Sequence, residues 1–491
     1  MKRFSVVLCW LIGLLAFFSV VSCPGNADGG NVPGNPSGGG EEGEPSGGGE
    51  PSGGGEPTGD IASSEGVSVL LSGLNSPVSL SAKINGSAVA TGATWKIESQ
   101  LNDGDLTLNG SSISASAYGA AVVSAQSNDG GKAFLAVACL PISKQVSDKC
   151  LVFASSKPFV LNTENRKKNW DGALQVSTDA STWVNWIETG ENEDSFLTAV
   201  ESSRIDGDNK NYYILVRGSG NTKMTGWIES ESIFDLSAAS GFSLNAKNAD
   251  DGVVPVFCFG DIRTLLDYEN VDDAEMAAGA FFKLFRGCSG LVNAPALPSP
   301  VLSKNCYQEM FVGNTPGRNP DNSINVMGMV DLFMVPPELP ATTLAERCYD
   351  NMFACRISME QAPELPATVL AEGCYVSMFG ACVSLKYPPS LPATTLAPGC
   401  YSIMFNECIA LDGIVKLPAP VSSPSEDDGC LDSMYYACDN LKLSETRTGD
   451  YQNEIVFPYA SGMGVFMKTG GTFTGDPVAG RTYYTSNKVI M

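Results

Sequence analysis

A period of 26 residues governs the C-terminal third of this chain and constrains its fold more than any other feature. Leu339-Pro340, Leu365-Pro366, Leu391-Pro392 and Leu417-Pro418 fall 26 apart. Cys348-Tyr349, Cys374-Tyr375 and Cys400-Tyr401 keep the same spacing, as do Met352-Phe353, Met378-Phe379 and Met404-Phe405. An earlier copy carries Leu297-Pro298, Cys306-Tyr307 and Met310-Phe311. It lies 42 residues before its successor, which is one period plus an insertion of 16 at about Thr315–Val330. A half-copy at Leu284–Cys288 opens the run, and Met434–Leu441 closes it. A fixed period in this range means that like units stack, because one unit cannot bury both of its faces alone.

Each unit has a readable plan. Leu370, Cys374 and Met378 are four apart, a spacing that predicts one face of a short helix. Leu385 to Leu391 contains Pro388-Pro389, which excludes helix and limits ladder bonding, so this stretch is expected to be extended. The plan resembles the leucine-rich repeats of BspA-like bacterial surface proteins. Met378-Phe379-Gly380-Ala381-Cys382-Val383-Ser384-Leu385, followed by the Leu391-Pro392 step, occupies that family's Ala-Phe-x-x-Cys-x-x-Leu and Ile/Leu-Pro positions. The period here is longer than the family's usual one. The resemblance covers residues 275–445. It implies a leucine-rich-repeat-type α/β solenoid and a role in adhesion, binding a protein or glycan on a host or neighbouring cell.

The start of the chain reads as an export signal. Lys2 and Arg3 precede an apolar run from Phe4 to Val21, then Ser22 and Cys23. Val20-Val21-Ser22-Cys23 resembles a bacterial lipobox, which implies that residues 1–22 are removed and that Cys23 is diacylated. Acyl chains anchor because each buried CH₂ contributes about 0.8 kcal/mol. The resemblance implies an outer-membrane lipoprotein of the cell envelope, exposed at the surface and held to the membrane by its lipid. Residues 23–60 are rich in glycine, proline and glutamate, with Glu44-Pro45-Ser46-Gly47-Gly48-Gly49 recurring at Glu50, and are expected to form a flexible linker.

From residue 61 to 145 the pattern turns to period two. Val78, Leu80, Ala82 and Ile84 alternate with small or polar residues before the turn signal Asn85-Gly86. Short strands at close spacing predict a β-sandwich. Thr94-Trp95-Lys96-Ile97 followed by Ile113–Ala125 resembles a bacterial Ig-like domain. Residues 146–274 read as a second β-rich domain, in which Trp183 and Trp186 either fill the core or offer a platform to a sugar ring. Residues 446–491 are expected to cap the array with polar surface. The expected fold is therefore mixed: an all-β Ig-like sandwich, a second β-rich domain and a C-terminal leucine-rich-repeat-type α/β solenoid.

Composition removes several functions. The 491 residues contain no histidine, which eliminates Ser-His-Asp and Cys-His nucleophilic sites and HExxH zinc sites. With 30 basic and 54 acidic residues the net charge is −24, against the basic footprint that nucleic acid requires. Cysteines eight apart in the array do not match structural zinc spacing and are expected to be mostly buried thiols. Cys139 and Cys150 are the best disulfide pair outside it. The acidic run Ser425–Gly429 lacks the ligand alternation of a calcium loop. No acid pair stands out for glycoside hydrolysis. No cofactor or metal is expected, and no enzymatic activity.

The binding surface is expected where residue types change between units. Counting from the strand start, the outward positions are Met334, Val335 and Glu338; Glu360, Gln361 and Glu364; Lys386, Tyr387 and Ser390; and Asp412, Gly413 and Lys416. The insertion adds Arg318, Asp321 and Asn322, since solenoid insertions project from one face. The leading expectation is a surface lipoprotein that binds its partner through Arg318, Asp321, Asn322, Glu338, Glu364, Lys386, Tyr387, Ser390 and Lys416. The alternatives are a lipid-anchored glycan-processing enzyme or glycan-binding accessory subunit, and a structural envelope spacer.

Overall fold

A computed structural model describes residues 67–84, 87–88, 92–128, 131–190, 195–227 and 240–491. Cys23, the lipobox and the linker lie outside the described residues.

The chain is almost all β, with 28% strand and 4% helix in many small sheets, and the expected α/β leucine-rich-repeat solenoid is not formed. The correction comes from the backbone of the repeats. In the segment read as a helix, alternate amides bond locally. Cys374, Val376, Met378, Gly380 and Cys382 each donate to the carbonyl three residues back. The amides between them donate instead to the following unit: Tyr375 to Cys400 O at 3.2 Å, Ser377 to Ser402 O at 2.9 Å, Phe379 to Met404 O at 3.0 Å and Ala381 to Asn406 O at 2.7 Å. A helix would send every amide four residues back along its own segment. Here every fourth residue turns left-handed: Gly373, Ser377 and Ala381 have φ of 58°, 49° and 59°. The same phase recurs at Gly399, Ile403 and Glu407, and at Gly429, Ser433 and Ala437. For a non-glycine residue that conformation costs about 1 kcal/mol or more, and the bond to the next unit offsets it. Consecutive turns thus reproduce the four-residue apolar spacing of a helix without being one.

Stacked turns place like side chains on like. Phe285, Phe311, Phe353, Phe379, Phe405, Tyr435 and Phe466 form one column, with centroids 5.2–5.8 Å apart and planes within 13° of parallel. Phe281, Tyr307, Tyr349, Tyr375 and Tyr401 form a second. Phe311 meets Phe353 directly although 42 residues separate them, so the insertion loops out of the column. The tail beyond residue 445 adds apolar layers. Tyr435 N donates to Val465 O, Phe466 stacks on Tyr435, and Lys488–Ile490 pairs in parallel with Gly413–Val415.

The N-terminal strands pack as small sheets. Ser68–Leu70, Lys132–Cys139, Gly119–Gln126 and Thr94–Gln100 form one, and Val78–Ser79, Ser112–Ala115 and Leu106–Asn109 another. Val69, Ile113, Val123 and Val137 are buried between them. The next segment builds a five-stranded sheet in the order Val184–Asn185, Ala173–Ser177, Tyr212–Ser219, Leu151–Ser155 and Phe257–Phe259. One apolar core runs without interruption from Leu151 of this sheet to Tyr483 of the tail. A second cluster joins Ala120, Val122 and Phe134 of the first sheet to Val292 and Val335 of the array. All 13 described cysteines are free thiols, so Cys139 and Cys150 are not bridged.

Candidate functional site

The extended limbs of successive units lie side by side. Gln361 bridges to Tyr387 in parallel, Asp412 N donates to Lys386 O at 2.6 Å, and Lys488 N donates to Asp412 O at 3.1 Å. Residues of equal phase therefore lie side by side, and each limb forms one row that meets a different neighbour.

The first two rows are occupied from within the chain. Val335, expected to face outward, is 1% exposed and belongs to the cluster formed with the N-terminal sheet. Met334 is half-buried against the same cluster. Gln361 Oε1 accepts a hydrogen bond from the Phe134 amide at 3.0 Å, and Glu360 pairs with Lys132 at 3.6 Å. Lys132 also pairs with Glu98 at 2.9 Å; burial works to raise the Glu98 carboxyl, but Lys96, Ser124 and Lys132 together hold it down at about 2. Glu338 is exposed.

The next two rows form an open surface. Lys386 and Lys416 are exposed, while Tyr387 and Ser390 are half-buried. Lys386 and Lys416 have no carboxylate partner among the described residues. The Tyr387 ring has Lys386 Nζ 5.4 Å and Lys488 Nζ 5.2 Å from its centroid. It lies across Gly413, where an added Cβ would come within 3.3 Å of Tyr387 Cδ1 and 2.8 Å of Pro388 Cδ. Gly413 is therefore buried under the ring and is not a surface position. Asp412 is held by Asn487, whose Nδ2 donates to Oδ1 at 2.6 Å. Farther along the same limbs, Ser390, Leu391, Pro392, Lys416, Leu417, Pro418 and Met491 line an open groove of about 300 Å³. Its walls are two consecutive Leu-Pro steps, and Ser390 and Lys416 are its polar side chains. Ser390 Oγ also reaches Glu364 Oε2 at 3.4 Å. The structure thus brings Glu364, Ser390 and Lys416 together, with Lys386 and Tyr387 in the same rows.

The insertion does something else. Gly317–Arg318 and Ile324–Asn325 pair as a small hairpin, turned by Asn322 at φ 67° and by Asp321, which accepts hydrogen bonds from Ser323. Arg318 faces inward. Its guanidinium forms a two-pronged ion pair with Glu407, through Nη1 to Oε1 and through Nη2 to Oε2 at 2.8 Å. That carboxylate raises the Arg318 pKa above its usual value. Arg318 pins the hairpin to the turn column and is not an exposed anchor. Glu407 lies 89 residues away, and no local spacing announces it. Lys488 and Met491 were also missed, since they enter the surface only through the parallel pairing of the tail.

Trp186 is 4% exposed, packs at a tilt against Trp170 at 5.3 Å and donates Nε1 to Thr198 O. It belongs to the core, so Trp183 and Trp186 do not form a shared sugar platform. No group of three or more metal-ligating side chains is assembled among the described residues. No family model, curated protein or solved structure matches the chain.

Proposed function

We propose that this chain is an envelope-anchored recognition protein, without catalytic activity, that binds a protein or glycan on a host or neighbouring cell. The open groove between the Leu391-Pro392 and Leu417-Pro418 steps carries the reading, with Ser390 and Lys416 beside an apolar floor. A concave, mostly apolar surface with a few convergent polar groups is the usual form of a binding site. Lys386 and Tyr387 extend that surface along the same limbs, and the four side chains differ from their counterparts in the unit before, whereas the buried Cys, Tyr, Met and Phe positions repeat. The lipobox-like Val20–Cys23 and the Gly/Pro/Glu-rich stretch to residue 60 support a tethered position in the outer membrane. The motif resemblance to BspA-like surface proteins supports adhesion.

The test is binding of the full chain to immobilised matrix proteins and to an acidic and neutral glycan array, alongside Lys416→Ala, Ser390→Ala and Tyr387→Ala. A ligand of this surface should lose at least about 1 kcal/mol of affinity with Tyr387→Ala or Lys416→Ala. Binding by all three variants at the parent's affinity would remove the groove from consideration. Membrane release of Cys23→Ala, with loss of labelling by a palmitate analogue, tests the anchor separately.

A further inference from the structure

Arg217 lies in Tyr212–Ser219, in the middle of the five-stranded sheet and away from the repeat surface. Opposite it on the neighbouring strand is Gln175, and opposite Gln175 on the next is Asn185. The three polar side chains form a row. Arg217 Nε donates to Gln175 Oε1 at 2.9 Å, and Gln175 Nε2 donates to Asn185 Oδ1 at 3.2 Å. The guanidinium carbon is 3.9 Å from the ring centroid of Trp183 and 4.0 Å from that of Tyr268. Two rings that close to one atom, with no contact between themselves, occupy its two faces. Arg217, Trp183 and Tyr268 are each half-buried.

The cation is thus clamped above, below and along one edge. Its other edge, Nη1 and Nη2, has no hydrogen-bond or ion-pair partner among the described residues. Arg263, Arg286, Arg318, Arg347 and Arg356 each take a carboxylate, whereas Arg217, like Arg166 and Arg204, takes none among the described residues. A planar guanidinium fixed by stacking has little conformational freedom left to lose on binding. Its two outward N–H groups match the two oxygens of a carboxylate as a fork. The slot between Trp183 and Tyr268 is flat. A carboxylate continues the guanidinium plane through it, whereas a tetrahedral sulfate or phosphate would press its out-of-plane oxygens against the rings.

We propose that Arg217 is the receptor for a ligand carboxylate, seated between Trp183 and Tyr268 and held by Nη1 and Nη2. The carboxylate belongs to a sugar acid or to the end of a peptide, which share this chemistry. The site is separate from the repeat groove and does not depend on the recognition reading given for it.

The full chain is titrated with glucuronate, N-acetylglycine, glucose and sulfate, following the arginine Nε–H resonances and tryptophan fluorescence. Saturable binding of glucuronate or N-acetylglycine, without glucose binding, is expected, and the tighter of the two identifies the source. Arg217→Lys keeps a cation but loses the fork and should weaken binding at least about tenfold. Gln175→Leu frees Nε and should weaken it less, with near-ultraviolet circular dichroism confirming the fold of both variants. Sulfate binding as tightly as the carboxylates, equal binding by Arg217→Lys, or no saturation by either carboxylate overturns the assignment.

Discussion

Arg356 and Asp331 form an ion pair 2.7 Å apart in which neither side chain is more than 4% exposed. Arg356 occupies the phase that Cys382, Cys408 and Cys438 hold in later units, three residues after the stacked ring. Those thiols donate to the carbonyl of the ring residue one unit earlier: Cys382 to Phe353 at 3.1 Å, Cys408 to Phe379 and Cys438 to Phe405 at 3.0 Å. Arg356 does the same with Nε, to Phe311 O at 2.5 Å, then reaches Cys288 O and rests 4.6 Å from the Phe333 ring. A large cation thus fills the gap where the insertion leaves the column, and Asp331, supplied from just after the insertion, neutralises it.

Removing one partner should therefore be worse than removing both. Asp331→Ala strands a buried guanidinium and should cost about 3–5 kcal/mol in urea unfolding. Asp331→Ala combined with Arg356→Cys, which restores the thiol of the other units, should cost less than Asp331→Ala alone. A double variant less stable than the single would show that the pair stabilises more than its desolvation costs.

The thiol row predicts a graded response at Cys408. Cys408→Ala loses the donor to Phe379 O and leaves a small void, which should cost about 1–3 kcal/mol. Cys408→Ser keeps a donor and should cost less than the alanine. Burial pushes the Cys348 and Cys355 thiols up to about 12, so these two cysteines should resist a thiol reagent at pH 8 until the protein is unfolded. At most one or two reactive thiols in denatured, unreduced protein would contradict the free-thiol assignment.

Asp350 should make stability depend on pH in the direction opposite to ordinary acid denaturation. Burial raises its carboxyl to about 6, outweighing the Arg347 cation 2.6 Å away, while Glu309 adds like charge. The folded state therefore binds the proton more tightly than the unfolded chain, whose value is about 3.9. This contribution is complete below about pH 4 and is lost as pH rises through 6. Asp350→Asn should reduce the loss of stability between pH 4.5 and pH 7.5 by about 1–3 kcal/mol relative to the parent. Parallel pH profiles for the two proteins would refute the assignment.

Deleting residues 366–391 removes one whole period and lets the layer of Tyr349 meet that of Tyr401. The deletion should retain the fold with reduced stability, since the two layers it joins present like residues to each other, while the Arg318–Glu407 pair, which reaches across layers, is shifted by one. Removing half a period misaligns the columns and should unfold the protein. Indistinguishable melting curves would invalidate the 26-residue register.

The period itself and the buried residues within each unit were legible, because stacking requires the same side chain at the same phase. The helix was misread because a four-residue apolar spacing is shared by a helix and by a train of turns with a left-handed residue every fourth position. What separates them is the destination of alternate amides, and Tyr375 finds its acceptor at Cys400, beyond any local pattern. Lys386, Ser390 and Lys416 were legible as surface positions from phase alone. Val335 was not, because the sheet that covers it comes from residues 119–139. Arg318 was misplaced because its charge is claimed by Glu407, and composition cannot show which acid claims which base.

The tyrosine column makes the array an optically coupled object. Tyr307, Tyr349, Tyr375 and Tyr401 lie 5.9–6.0 Å apart with planes within 16° of parallel. At such separations the transition dipoles of like chromophores mix, and an excitation created on one ring is shared along the file. The near-ultraviolet spectrum of the folded protein is then a property of the number of rings in register rather than a sum over independent tyrosines. Slippage of a single layer splits the file and changes that collective signal, even where the far-ultraviolet spectrum stays the same.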